Sequence, residues 1–176
     1  MYYTILDAYS RLMAFMDSGG PVLWWIALMT LVMWTLAFER MWYFRTALRR
    51  DIDSVMTDWE GRTERKSWNA HAIRQALISR VSLAINQNLP MINTLVALCP
   101  LLGLLGTVTG MIEVFNVMAV SGGGDAKSMA GGVSKATIPT MAGMVAALSG
   151  VFISTYLAKV AERESQLLTD HLTTDH

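Results

Sequence analysis

The sequence predicts an all-α integral membrane protein with three transmembrane helices and cytoplasmic helical extensions, and three observations carry that prediction. Of 176 residues, 53% are hydrophobic and only 16% charged, a composition suited to a small membrane protein. Three uncharged runs stand out: Pro21 to Phe38, Met91 to Ile112 and Ala136 to Ala158. At 1.5 Å per residue they reach roughly 27 to 35 Å, matching a hydrocarbon core of about 30 Å. Lys and Arg are also unevenly placed. Eleven of the 14 fall between the first and second runs or after the third, which makes those segments cytoplasmic.

The expected order follows from these runs. An amphipathic helix over 1–18 lies on the outer side, followed by a first transmembrane helix over 21–44. A cytoplasmic helical segment occupies 45–90, and a second transmembrane helix 91–118. An outer loop at 119–131 leads to a third transmembrane helix over 132–158 and a cytoplasmic tail over 159–176. Tyr2, Ile5, Leu6, Tyr9, Leu12, Met13 and Met16 recur at helical spacing. That stripe suits either the membrane-water interface or packing on the protein's own spans. Asp7 and Asp17 against Arg11 alone argue against a cleaved signal peptide.

Trp24 and Trp25 open the first span and Trp42 and Tyr43 close it, as aromatic belts at two interfaces would. Asp51 to Lys66 is polar and is interrupted by Gly61. Ile73, Leu77, Val81 and Ile85 then form one helical stripe, and Pro90 is expected to kink a single long helix entering the second span. SGGGD at 121–125 reads as a short outer loop.

Balanced charge without a basic stretch gives no footprint for nucleic acid. Cys99, the one cysteine, reads as a small packing residue, and His71, His171 and His176 have no ligand spacing. No metal site or cofactor is expected. No nucleophile with a base is visible either, so an enzyme is the least favoured class.

The second and third spans are rich in residues that weaken helices. Cys99, Gly103, Gly106, Gly110 and Glu113 are spaced four, three, four and three apart. Ala136, Thr140, Gly143, Ala147, Gly150 and Ser154 repeat that rhythm. Small-residue stripes let membrane helices approach closely, and packing alone accounts for them unless the polarity beside them matters. Thr107, Thr109, Thr137, Thr140, Ser149, Ser154 and Thr155 supply hydroxyls at membrane depth. Half of these are expected to bond their own backbone one turn back. Pro100 and Pro139 leave the carbonyls of Val96 and Lys135 without a helical donor. No Asp, Glu or His falls inside an apolar run, so a proton path would need a carboxylate from another chain.

Pro100-Leu-Leu-Gly-Leu-Leu-Gly-Thr-Val-Thr-Gly-Met-Ile112 and Gly132-Val-Ser-Lys-Ala-Thr-Ile-Pro-Thr-Met-Ala-Gly-Met144 resemble the ExbB, TolQ and MotA family of proton-channel motor subunits, most nearly its ExbB-like members. The resemblance covers about residues 20 to 165. It implies a homo-pentameric helical barrel around an ExbD-like single-span partner whose membrane aspartate cycles protons, and a TonB-like protein that receives the force. It also implies the bacterial inner membrane, with a periplasmic N-terminus and a cytoplasmic C-terminus. Thr107, Thr140, Pro139 and Ser154 would line the pore, and Gly103, Gly106, Gly110, Gly143, Ala147 and Gly150 would pack helices. Lys135 stands where many relatives have glutamate. It is expected either to pair with Glu113 of a neighbouring subunit or to snorkel to the interface. The alternatives are a TolQ-like motor subunit and a passive membrane scaffold without proton flow.

Overall fold

The computed structural model describes residues 2–61, 68–121 and 126–171, all of them in or beside helices. There are five: α1 (Tyr2–Ser18), α2 (Gly20–Glu60), α3 (Trp68–Asn86), α4 (Leu89–Ser121) and α5 (Ala126–His171). Stretches of α2, α4 and α5 are long and apolar enough to cross a membrane. No more than a third of each such stretch is buried inside the chain. Most of their apolar surface therefore faces outward, as expected of side chains that meet lipid or other helices. The chain is a multi-pass membrane protein.

The helices divide into two compact units, Met1–Met33 with Thr94–Val151 and Trp34–Asn93 with Phe152–His176. In the first, Val22, Leu23 and Ile26 of α2 and Cys99 of α4 form one buried cluster with Ala146 and Ala147 of α5, joined by Met16. Met16 is the buried member of the α1 stripe, while Leu6, Tyr9, Leu12 and Met13 are exposed. Among the described side chains of that stripe, packing on the protein's own spans thus accounts for Met16 alone. Gly20 separates α1 from α2 with a φ of 67°, a left-handed geometry that favours glycine. Pro21 follows in the first turn of α2, where its missing N–H costs nothing.

In the second unit, Leu48 and Val55 of α2, Val81 and Ile85 of α3, and Leu157, Ala161 and Leu168 of α5 are buried. The α3 stripe is where its periodicity put it, with Ile73 and Leu77 half-buried. Arg74 donates to the Thr169 carbonyl at 3.1 Å, joining α3 to α5.

The helix of the first span runs without a break into the segment expected to be a cytoplasmic helical one, as far as Glu60, and ends where Gly61 donates to the Thr57 carbonyl at 2.9 Å. Three boundaries differ from expectation. The expected single bent helix into the second span is two helices. Asn88 adopts a φ of 67° between them, and its carbonyl accepts from Ile92 N at 3.0 Å to open α4. Asparagine tolerates that left-handed geometry, and Pro90 falls in the first turn rather than at a kink. The loop expected at 119–131 is mostly helix, since α4 runs to Ser121 and α5 starts at Ala126; residues 122–125 lie outside the described residues. Gly132 stays helical opposite Val114, so packing overrides low helix propensity there. The tail at 159–176 is likewise helix through His171.

Candidate functional site

In the first unit α4 and α5 run antiparallel, with each glycine of one set against the other. Val96 meets Gly150, Cys99 and Gly103 meet Gly143, Gly106 meets Pro139, Gly110 meets Ala136 and Val114 meets Gly132. As residue numbers rise along α4 they fall along α5. A methyl group added at Gly103 would stand 2.9 Å from the Thr140 Cα and 3.0 Å from the Pro139 carbonyl. Those are backbone atoms that cannot swing aside. The small residues here allow two backbones to touch, which is how helices gain attraction where lipid is as apolar as leucine.

Thr140 lies within this seam, opposite Gly103. Its hydroxyl donates to the Gly103 carbonyl on α4 at 2.8 Å. Sequence reasoning placed Thr140 on the polar face and did not foresee this bond, because residue type carries no information on which carbonyl will be near. Thr107 donates to its own backbone at Leu104 O, 2.7 Å away, and Thr109 bonds Leu105 O and Gly106 O at 3.0 and 3.1 Å. Thr137 and Ser149 bond Ser134 O and Ala146 O in the same way. A carbonyl can only accept, so each of these hydroxyls has its proton directed into the backbone. What remains on each is lone-pair density. Thr107 and Thr140 are both half-buried and can accept a hydrogen bond without giving up the one they make.

Pro139 is placed differently from the expected pore lining. Its side chain is fully buried against Gly106, so it fills the helix contact rather than facing open space. Ala147 is buried in the central cluster and Gly150 contacts Met33 as well as Val96. Ser154 belongs to the second unit, is half-buried and is not among the residues gathered at the Thr140 seam.

Lys135 was expected either to meet Glu113 across a subunit boundary or to snorkel to the interface, and in this structure the two residues pair within one chain. Lys135 Nζ lies 3.6 Å from a Glu113 carboxylate oxygen, with both side chains about half exposed. Antiparallel packing of α4 on α5 brings the two residues level, which spacing within either helix could not reveal. An exposed pair of this kind contributes at most about 1 kcal/mol.

A second polar group went unnoticed in the sequence. Arg40, counted there only among the cytoplasmic cations, is buried in the second unit. Of its neighbours, Glu39 accepts a hydrogen bond from Asn88 and Tyr43 donates one to Asp51. A signal existed: Arg40 is one turn from the buried Ala37 and so shares its inward face. Among the described residues, no three His, Cys, Asp or Glu side chains gather as a metal site.

Comparison with known proteins adds identity to this geometry. Residues 39–170 match the MotA/TolQ/ExbB proton channel family. An ExbB-like biopolymer transport protein of Synechocystis sp. is 28% identical over 84% of this chain and 70% of its own length. The biopolymer transport protein ExbB of Helicobacter pylori is 38% identical over 40% of this chain and 49% of its own. That of Xanthomonas campestris pv. campestris is 33% identical over 51% of this chain and 35% of its own. The chain thus spans about half or less of the two proteins named ExbB. The family match covers both helices of the glycine seam and most of the described chain: the chain belongs to the MotA/TolQ/ExbB proton channel family.

Proposed function

We propose that the chain is an ExbB-like subunit of a proton-motive-force-driven motor. Five copies surround an ExbD-like single-span partner in the bacterial inner membrane, and the assembly energises TonB-dependent transport across the outer membrane through a TonB-like protein. The N-terminus faces the periplasm and the C-terminus the cytoplasm, in keeping with eleven of 14 Lys and Arg on one side. The chain itself works without a bound cofactor and as a transport subunit rather than an enzyme.

The observation that carries this reading is the Thr140 to Gly103 hydrogen bond in a seam that holds no buried carboxylate or imidazole. A proton path through lipid normally rests on a titratable group at depth, so the partner supplies it. The hydroxyls of Thr107 and Thr140 already donate to carbonyls. They therefore meet the partner's carboxyl as acceptors and form a neutral contact with its protonated form. A fixed cation at that depth would hold an ionised aspartate too firmly for it to cycle. One charge crossing 100 mV releases about 2.3 kcal/mol, so a few protons suffice for a mechanical step.

Thr140→Val should abolish energy-dependent uptake while the complex still assembles, and Thr140→Ser should restore it. Full uptake by both Thr140→Val and Thr107→Val would remove the threonines from the pathway. A passive scaffold is the second reading, favoured by the internally satisfied hydroxyls and the tight α4–α5 seam; it predicts assembly with the partner but no proton flux. A TolQ-like role in envelope maintenance uses the same chemistry and differs only in the process served.

A further inference from the structure

We infer that Glu39 is a two-position latch on the joint between α3 and α4, held here by Asn88 and able to close instead on the open edge of the Arg40 guanidinium. The side chain of Arg40 is only 3% exposed. A cation removed from water needs its donors occupied. Nη1 donates to the Ala84 carbonyl at 2.9 Å, within the last turn of α3, where carbonyls lack helical donors and a positive charge is favoured. The guanidinium also stands 5.0 Å from the centre of the Tyr43 ring, within range of a cation–π attraction.

The third side is different. Nε and Nη2 share one edge of the planar group, and that edge is shaped to grip a carboxylate by two parallel bonds. Nε is buried with no hydrogen-bond partner. Glu39 is the carboxylate facing Nη2, at 4.0 Å, too far for a hydrogen bond. Its other oxygen accepts from Asn88 Nδ2 at 3.1 Å. One carboxylate therefore stands between two sets of donors, and the weaker set, a single neutral amide, holds it.

Charge-assisted paired bonds are roughly twice as strong as neutral ones, and a buried donor without a partner is costly. Both considerations favour the move of Glu39 toward Arg40. What opposes it is the position of Asn88, the left-handed residue whose carbonyl opens α4. The Glu39 side chain is half exposed, so a change of rotamer can carry it from one partner to the other. In the closed position Nε gains an acceptor and the side chain of Asn88 is released. The foot of α2 then no longer ties down the residue at which α3 ends and α4 begins. This inference concerns the joint and is independent of what crosses the seam near Thr140.

The test uses the full chain in its membrane assembly with 15N-labelled arginine, the Arg40 Nε signal being assigned by its loss in Arg40→Lys. Asn88→Gly keeps the left-handed geometry and removes the competing amide; Asn88→Asp replaces it with a repelling carboxylate. In each, the Arg40 Nε–H should become protected from solvent exchange by about tenfold, and the backbone amides of Leu89, Met91 and Ile92 should exchange about tenfold faster. Adding Glu39→Gln should reverse the protection. An Arg40 Nε–H that behaves identically in wild type, Asn88→Gly and Asn88→Asp would overturn the latch. Protection that survives Glu39→Gln would overturn it too, by showing a different acceptor. If Asn88→Gly does not assemble, Asn88→Asp gives the same comparison.

Discussion

At Thr140 the hydroxyl proton is held by the Gly103 carbonyl at 2.8 Å, and that direction decides what the side chain can offer a partner. Loss of the bond in Thr140→Val should lower stability by about 0.5–1.5 kcal/mol, whereas Thr140→Ser should retain most of it; thermal melts of the purified complex measure both. Gly103 is less forgiving. In Gly103→Val the added carbon meets backbone atoms of α5 at 2.9 and 3.0 Å, and forcing the helices apart should cost about 1–3 kcal/mol, visible as loss of the assembled species. Lys135→Met should change stability by less than about 1 kcal/mol, because its pair with Glu113 is solvent-exposed; a melt at low and high salt checks this. A larger loss would mean that Lys135 also contacts another chain.

Helix boundaries depend on a few residues at the ends of elements. Gly20, with its φ of 67°, allows α1 to turn into α2. Gly20→Ala should cost about 1–2 kcal/mol, the strain of a left-handed residue with a Cβ, measured by denaturation in detergent. The spans, the helical α3 stripe and the stripes of small residues were legible in the sequence because each repeats a pattern over many residues. The joint at Asn88 was not, since Pro90 two residues later gave the stronger signal and a single asparagine rarely announces a left-handed turn. Helix was expected beyond residue 44, but not that α2 would run unbroken to Glu60, nor that the tail would continue α5 to His171. The buried residues beyond the apolar runs, Leu48 and Val55 of α2 and Ala161 and Leu168 of α5, are spread among charged neighbours, and the contrast with the apolar spans masks their periodicity. At the seam, Gly103 and Thr140 were recognisable as small and polar, but the partner of each hydroxyl and the pairing of Lys135 with Glu113 depend on the antiparallel register of two helices.

The chain combines three apolar helices with a seam that contains no buried carboxylate or imidazole. Large side chains point outward from that seam on both helices, among them Leu101, Leu104 and Val108 of α4 and Met141, Val145 and Leu148 of α5. Such surfaces are stable only against lipid or further helices, which accords with a subunit of a larger membrane assembly. The division of labour we propose is simple: this chain would supply rigid walls and hydrogen-bond acceptors, and a partner would supply the acid. Proton flux into liposomes, recorded under an imposed potential, tests that division most directly. The account predicts flux only when chain and partner are reconstituted together, and its loss with Thr140→Val in a complex that still assembles. Equal flux from this chain alone, or no flux from an intact complex with its partner, would contradict it.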